Sequence, residues 1–189
     1  MNIIAGSARN LELLSPPDME VRPTTGRARK ALFDSLGSPE GVGVLDLCSG
    51  SGAYALEAAS RGASLAVMVE KEPSHIRVIE TNVQKVRKTG VKAEMHVIQS
   101  DILQTRNYLA LLDKCSLILA DPPYAVSAEL YQKLMSDPLF REHASGCLLV
   151  WEIPDTPGAL GEFLETPGLA DSRIRKFGST LFLMGTVEA

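Results

Sequence analysis

Short apolar runs alternate with stretches of helical periodicity along most of this chain, and that alternation limits the fold more than any other feature. The runs are 42–48, 65–69, 95–99, 117–120 and 147–152. Leu117-Ile118-Leu119-Ala120 has no polar break, as expected of a strand buried on both faces. Helices are predicted over 54–61, 73–88, 108–112 and 127–140, with Pro73 suited to a first helical turn. Strand–helix alternation of this kind packs as a mostly parallel, doubly wound, right-handed α/β sheet. Runs at 172–177 and 180–184 should pair across Gly178-Ser179 as an antiparallel hairpin. Two shorter strands, 3–6 and 11–14, are expected as an N-terminal hairpin that Pro16-Pro17 ends. A helix over 26–36 follows, with Thr24 or Thr25 as N-cap, an apolar stripe of Ala28, Ala31, Leu32 and Leu36, and Gly37 to close it. A short helix is expected over 158–164.

The apolar runs end in acids. Asp46, Glu70, Asp101 and Asp121 stand at four successive strand ends, the edge where open α/β sheets bind ligands. Gly50-Ser51-Gly52-Ala53-Tyr54-Ala55 fits the Gly-x-Gly-x-x-Gly/Ala turn, and Glu70 has the spacing of a ribose-binding acid. The turn alone allows NAD. Asp46 argues against it, because a carboxylate four residues before Gly50 would face and repel a pyrophosphate. A cationic cofactor without phosphate, such as S-adenosyl-L-methionine, would be welcomed instead. Gly50 and Gly52 let the backbone approach its methionine part. Glu70 has two oxygens for two ribose hydroxyls, and Asp101 can accept from the adenine amine with Ile102 beside the ring.

Asp121-Pro122-Pro123-Tyr124 suggests chemistry at an exocyclic amine on a planar ring. The Asp121 carboxylate and the Pro122 carbonyl can each accept one N–H and turn the nitrogen lone pair outward. Pro122 and Pro123 bring no competing N–H, and Tyr124 offers a face for stacking.

Composition narrows the alternatives. The 189 residues fit one domain. A net charge of −4 gives no global nucleic-acid signature. Arg22, Arg27, Arg29 and Lys30 nevertheless form a local basic cluster without an acid among them. Cys48, Cys115 and Cys147 are odd in number and lack metal spacing, so buried free thiols in a reducing cytosol are expected, with no metal. No apolar run approaches a membrane span, and the stretch after Met1 does not read as a signal peptide. His75, His96 and His143 are scattered, which disfavours a hydride-transfer site.

Taken together, these segments resemble a class I S-adenosylmethionine-dependent methyltransferase. More narrowly the chain resembles the RsmD family, bacterial 16S rRNA guanine-N2 methyltransferases. The resemblance rests on Ile3-Ile4-Ala5-Gly6, Arg22-Pro23-Thr24-Thr25 with Arg27-x-Arg29, and Leu45 to Gly52. It also rests on Glu57-Ala58-x-Ser60-Arg61-Gly62-Ala63, Asp121-Pro122-Pro123-Tyr124 and Lys176-Phe177-Gly178-Ser179-Thr180. It implies a Rossmann-like, seven-stranded, mostly parallel sheet with an antiparallel C-terminal hairpin and a small N-terminal β-hairpin extension. The whole chain, 1–189, would be a single methyltransferase domain, with 1–20 the extension and 21–189 the catalytic core. Asp121, Pro122, Pro123 and Tyr124 would be catalytic. Asp46, Cys48, Ser49, Gly50, Gly52, Glu70, Lys71, Asp101, Ile102 and Asp121 would hold S-adenosyl-L-methionine. Arg9, Arg22, Thr24, Thr25, Arg27, Arg29 and Lys30 would contact RNA, with Lys85, Arg87 and Lys88 as further phosphate contacts. The partner would be ribosomal RNA or the small ribosomal subunit, bound by a cytoplasmic monomer. Alternatives are methylation of a DNA base amine or a protein glutamine amide, an NAD-linked oxidoreductase, and a non-catalytic RNA-binding protein.

Overall fold

The structure is a computed structural model that describes residues 1–17, 25–156, 161, 163 and 168–189, apart from the side chain of Thr25. In chain order the elements are α1 (Thr25–Leu36), β1 (Gly43–Leu47), α2 (Ala53–Ser60), β2 (Leu65–Glu70), α3 (Pro73–Arg87), β3 (Glu94–Gln99) and α4 (Leu109–Leu112). They continue with β4 (Leu117–Ala120), α5 (Ser127–Met135), α6 (Pro138–Ala144), β5 (Leu148–Ile153), β6 (Leu169–Phe177) and β7 (Thr180–Val187). One seven-stranded sheet has the order β3-β2-β1-β4-β5-β7-β6. β1 to β5 pair in parallel, and β7 runs antiparallel to both β5 and β6. The direction of winding reverses between β1 and β4, so the ligand crevice of such a sheet lies above those two strands.

The pleat sorts each strand between two layers. Leu45, Leu47, Val67, Val69, Ile118, Leu149 and Trp151 face the side covered by α4, α5 and α6. Val44, Met68, Leu119 and Val150 face the other side, with α1, α2, α3 and the N-terminal segment. Alternation therefore turns Asp46, Glu70, Asp121 and Glu152 toward that second layer.

Two expectations need correction. The helix over 127–140 is two helices, because Pro138 starts a new one and the Asp137 carboxylate caps it by accepting from Leu139 N at 3.0 Å. The N-terminal hairpin keeps one antiparallel bridge, Asn2–Glu12, in place of two strands. The amides of Ile4 and Ala5 are drawn off by the Glu57 carboxylate, at 2.7 and 3.1 Å, so they cannot extend a ladder. Nor does the segment project, since Ile3, Ala8 and Leu13 are buried in the α2–α3 layer. Ser60 Oγ donates to Ala5 O at 2.6 Å and accepts from Ala8 N at 2.9 Å. Gly6, at φ +82°, lies so close to α2 that a Cβ would sit 1.8 Å from Ser60 O. The helix expected over 158–164 falls outside the described residues, apart from Gly161 and Phe163.

Candidate active site

The glycine turn is built by carboxylates from behind. Cys48, Gly50 and Gly52 have φ of 60°, 56° and 77°, which folds the chain sharply from β1 into α2. Gly52 precedes α2 without a side-chain cap. The first turn is instead capped from β1, where Asp46 Oδ2 accepts from Ala55 N at 3.1 Å. Ser49 Oγ donates to the Asp46 carbonyl at 2.7 Å. A Cβ on Gly52 would meet Met68 Sδ at 3.2 Å, a tight contact added to the left-handed φ that already favours glycine here. Asn82, fully buried on α3, donates to Ser51 O at 2.9 Å and clasps both backbone groups of Leu14. The turn is thereby tied to the N-terminal segment.

Glu70 is engaged at both oxygens. Oε2 accepts from Gly50 N at 2.8 Å, and Oε1 accepts from Lys71 N at 2.8 Å and Glu72 N at 3.0 Å. A carboxylate has about four acceptor places. The expected two-oxygen grip on a ribose thus requires one of these bonds to yield. Lys71 contributes this amide, and its side chain is exposed. His75 Nδ1 lies 3.7 Å from Glu70 Oε2. Asp101 Oδ1 accepts from Leu103 N at 2.9 Å, and Ile102 is buried in the core on the α4 side.

Electrostatics tie the acids into one site. Burial, then the Glu70 charge, push the Asp46 carboxyl up to about 7, with Ala55 N, Ser49 and Arg29 opposing the rise. Burial raises the Cys48 thiol strongly, and Glu70, Asp46, Asp121 and Asp101 all add to that rise. The charges of all four acids predicted from sequence are therefore felt at this one thiol. Asp46 and Glu70 lie in β1 and β2, and Asp101 and Asp121 follow the ends of β3 and β4; these four strands are consecutive neighbours in the sheet. A fifth acid, Glu152 on β5, extends the row. It went unassigned from sequence, although its run ends in an acid as the others do. Tyr54 OH donates to Glu152 Oε2 at 3.3 Å and Tyr124 OH to Glu152 Oε1 at 2.8 Å. Pro122 is buried, Asp121 is half-buried, and Pro123 and Tyr124 are exposed. A groove of about 630 Å³ opens between α3 and β3, lined by Arg77, Gln84, Arg87 and Val97 among others. None of its lining residues belongs to the acid row.

The basic residues separate by burial. Arg9, Arg27 and Lys30 are exposed, with Lys30 paired to Asp34. Arg29 is a correction: it is 3% exposed and cannot reach a phosphate. Its Nη2 donates to Asn2 O at 2.7 Å and its Nε lies 3.9 Å from Glu57. Arg29 with Leu32, Phe33 and Leu36 makes an i, i+3, i+4, i+7 stripe, which could have marked it as inward-facing. Lys85 donates to Glu12 O and Arg87 to Met95 O, while Lys88 is exposed. Arg22 and Thr24 lie outside the described residues, as does the side chain of Thr25.

The family described as Conserved hypothetical protein 95 matches residues 1–181. The chain belongs to this family, the RsmD family. It is 32% identical over 127 residues to the Escherichia coli K12 protein named Ribosomal RNA small subunit methyltransferase D, covering 66% of this chain and 60% of that one. The chain spans about half the length of the first curated relatives that it matches. A solved structure, a hypothetical protein from Thermus thermophilus, is 30% identical with TM-score 0.71, covering 100% of this chain and 99% of that chain. A Salinibacter ruber RNA methyltransferase in complex with S-adenosyl-L-homocysteine covers 89% of this chain and 94% of that one. At 17% identity and TM-score 0.61, it shares the class I methyltransferase fold.

Proposed function

We propose that this protein transfers the methyl group of S-adenosyl-L-methionine to the exocyclic N2 amine of a guanine in small-subunit (16S) ribosomal RNA. The observation that carries this reading is the row of acids across the β1/β4 switch point, with Asp121-Pro122-Pro123-Tyr124 at its target end. Asp46 fits a cation: it is 1% exposed, close enough to Glu70 to be raised by its charge, with the buried Arg29 opposing the rise. Asp46, Glu70 and Asp101, with the backbone of Cys48, Ser49, Gly50 and Gly52, would hold the cofactor. S-adenosyl-L-methionine supplies an electrophilic methyl group on a sulfonium leaving group, so the protein needs no strong base.

The chain's residues then act by placement. The Asp121 carboxylate and the Pro122 carbonyl accept the two N–H bonds of the amine and aim its lone pair. They also stabilise positive charge developing on that nitrogen. Tyr124 gives the base a face, which requires the guanine to leave its stack or lie in a loop. Of the basic residues named from sequence, Arg9, Arg27 and Lys30 are left to meet phosphates, with Lys88 just past the end of α3. The protein would work in the cytoplasm, as a monomer without metal, on rRNA or the small subunit.

The test is Asp121→Ala with a labelled methyl donor. Transfer should be abolished while donor affinity stays within a few-fold. A large loss of affinity with normal turnover at saturation would sink the role given to Asp121.

A further inference from the structure

We propose that Glu152 is a positioning residue of the target pocket: one carboxylate oxygen holds the Tyr124 hydroxyl and the other holds Tyr54, fixing the aromatic face beside Asp121 and linking it to helix α2. This inference rests on the reading of Tyr124 as the base-stacking residue.

The sheet puts these groups together. Ala120 is in register with Trp151 across the β4–β5 pair, so the next step along each strand brings Asp121 level with Glu152. Neighbouring strands run about 4.8 Å apart and both side chains take the same face. Two carboxylates side by side repel, and the Tyr54 phenol lies among them. Burial raises that phenol well above its ordinary value, and Asp121, then Glu152, add to the rise. Tyr54 therefore stays protonated and remains a donor to Glu152.

Glu152 is 2% exposed, so it is set within the protein and is not a surface acid that happens to meet a tyrosine. Its strand is pinned from the other layer, where Trp151 Nε1 donates to Ser127 Oγ at 3.0 Å. Tyr124 is 37% exposed, in the single turn that precedes α5. A ring at such a site can swing about two side-chain bonds. A hydrogen bond at its far tip removes that swing and sets the plane that a base would stack on. Tyr54 belongs to α2, whose first turn Asp46 caps. Glu152 thus joins the helix that follows the cofactor turn to the loop that receives the target.

The test combines fluorine NMR with a double-mutant cycle on the full chain. The four tyrosines are labelled as 3-fluorotyrosine, and Tyr54→Phe, Tyr108→Phe and Tyr124→Phe assign the three resonances used. In Glu152→Gln both resonances should move while that of Tyr108 stays. Methyl transfer to ribosomal subunits should fall about tenfold in kcat for Tyr124→Phe, the scale of one charge-assisted hydrogen bond. Glu152→Gln should lower it comparably, and combining the two should lower it no further. An unmoved Tyr124 resonance, or losses that multiply in the double variant, would overturn the proposal. The fluorescence of Trp151 reports whether each variant is folded. If the unaltered protein transfers no methyl group, the guanine reading fails, and the resonances still decide whether Glu152 holds Tyr124.

Discussion

Replacing Asp46 with Asn should make the protein more stable at alkaline pH and poorer at holding its cofactor. Asp46 is buried, and burial together with Glu70 raises its carboxyl from an ordinary 3.8 to about 7. Between those values the folded chain holds a proton that the unfolded chain has released. The stability tied to Asp46 is therefore intact in acid, falls as pH rises toward about 7, and levels off above. The whole gap corresponds to roughly 4 kcal/mol. Asn keeps an oxygen for Ala55 N–H and has no charge to bury. Urea denaturation, followed by the fluorescence of the single buried Trp151, measures the difference between Asp46→Asn and the parent without cofactor. That difference should grow in favour of Asn by roughly 2–3 kcal/mol between about pH 5 and pH 8. Calorimetry completes the test, because the proposed function has this carboxylate facing the sulfonium. Asp46→Asn should lose more affinity for S-adenosyl-L-methionine than for the uncharged thioether S-adenosyl-L-homocysteine. A stability difference that ignores pH, or equal losses for the two ligands, would refute the reasoning.

Other outcomes follow from the N-terminal segment. Glu57→Ala strands the amides of Ile4 and Ala5 and the buried Arg29, and removes the partner of Arg61 Nε at 2.7 Å. It should cost about 3–5 kcal/mol in denaturant unfolding, with the two amides losing hydrogen-exchange protection. Gly6→Ala forces a methyl into the end of α2 at a left-handed φ and should lower Tm markedly. Gly26→Ala, with nothing within 4 Å of the added carbon, should not lower it.

The order of strands and helices is readable because each apolar run is short and bounded, and because Pro73, Gly37 and Gly178 mark starts and stops. The acid row is readable for the same reason: Asp46, Glu70, Asp101 and Asp121 each interrupt or end an apolar run. Glu152 also ends one, but it follows the Asp121 strand with no motif of its own, and only the sheet order reveals its neighbours. Docking of the N-terminal segment is hidden because Glu57, Ser60 and Asn82 look like ordinary polar positions on helices. Their partners lie some fifty to seventy residues away in sequence, at Ile4, Ala5, Ala8 and Leu14. Arg29 misleads because a run of basic residues suggests a solvated face, whereas the helical period turns this one inward. The break at Asp137-Pro138 is legible in hindsight, since the pair is a standard helix start, but the apolar positions on either side of it run on at helical spacing.

The central claim is methyl transfer to a guanine amine of ribosomal RNA, and nucleoside mass spectrometry tests it most directly. The protein and labelled S-adenosyl-L-methionine would be incubated in parallel with unmodified small ribosomal subunits, naked rRNA and DNA, and the digests compared. Labelled N2-methylguanosine from a ribosomal sample, absent with Asp121→Ala, is the predicted result. Label in another nucleoside, or none in any sample while the cofactor still binds, would contradict it.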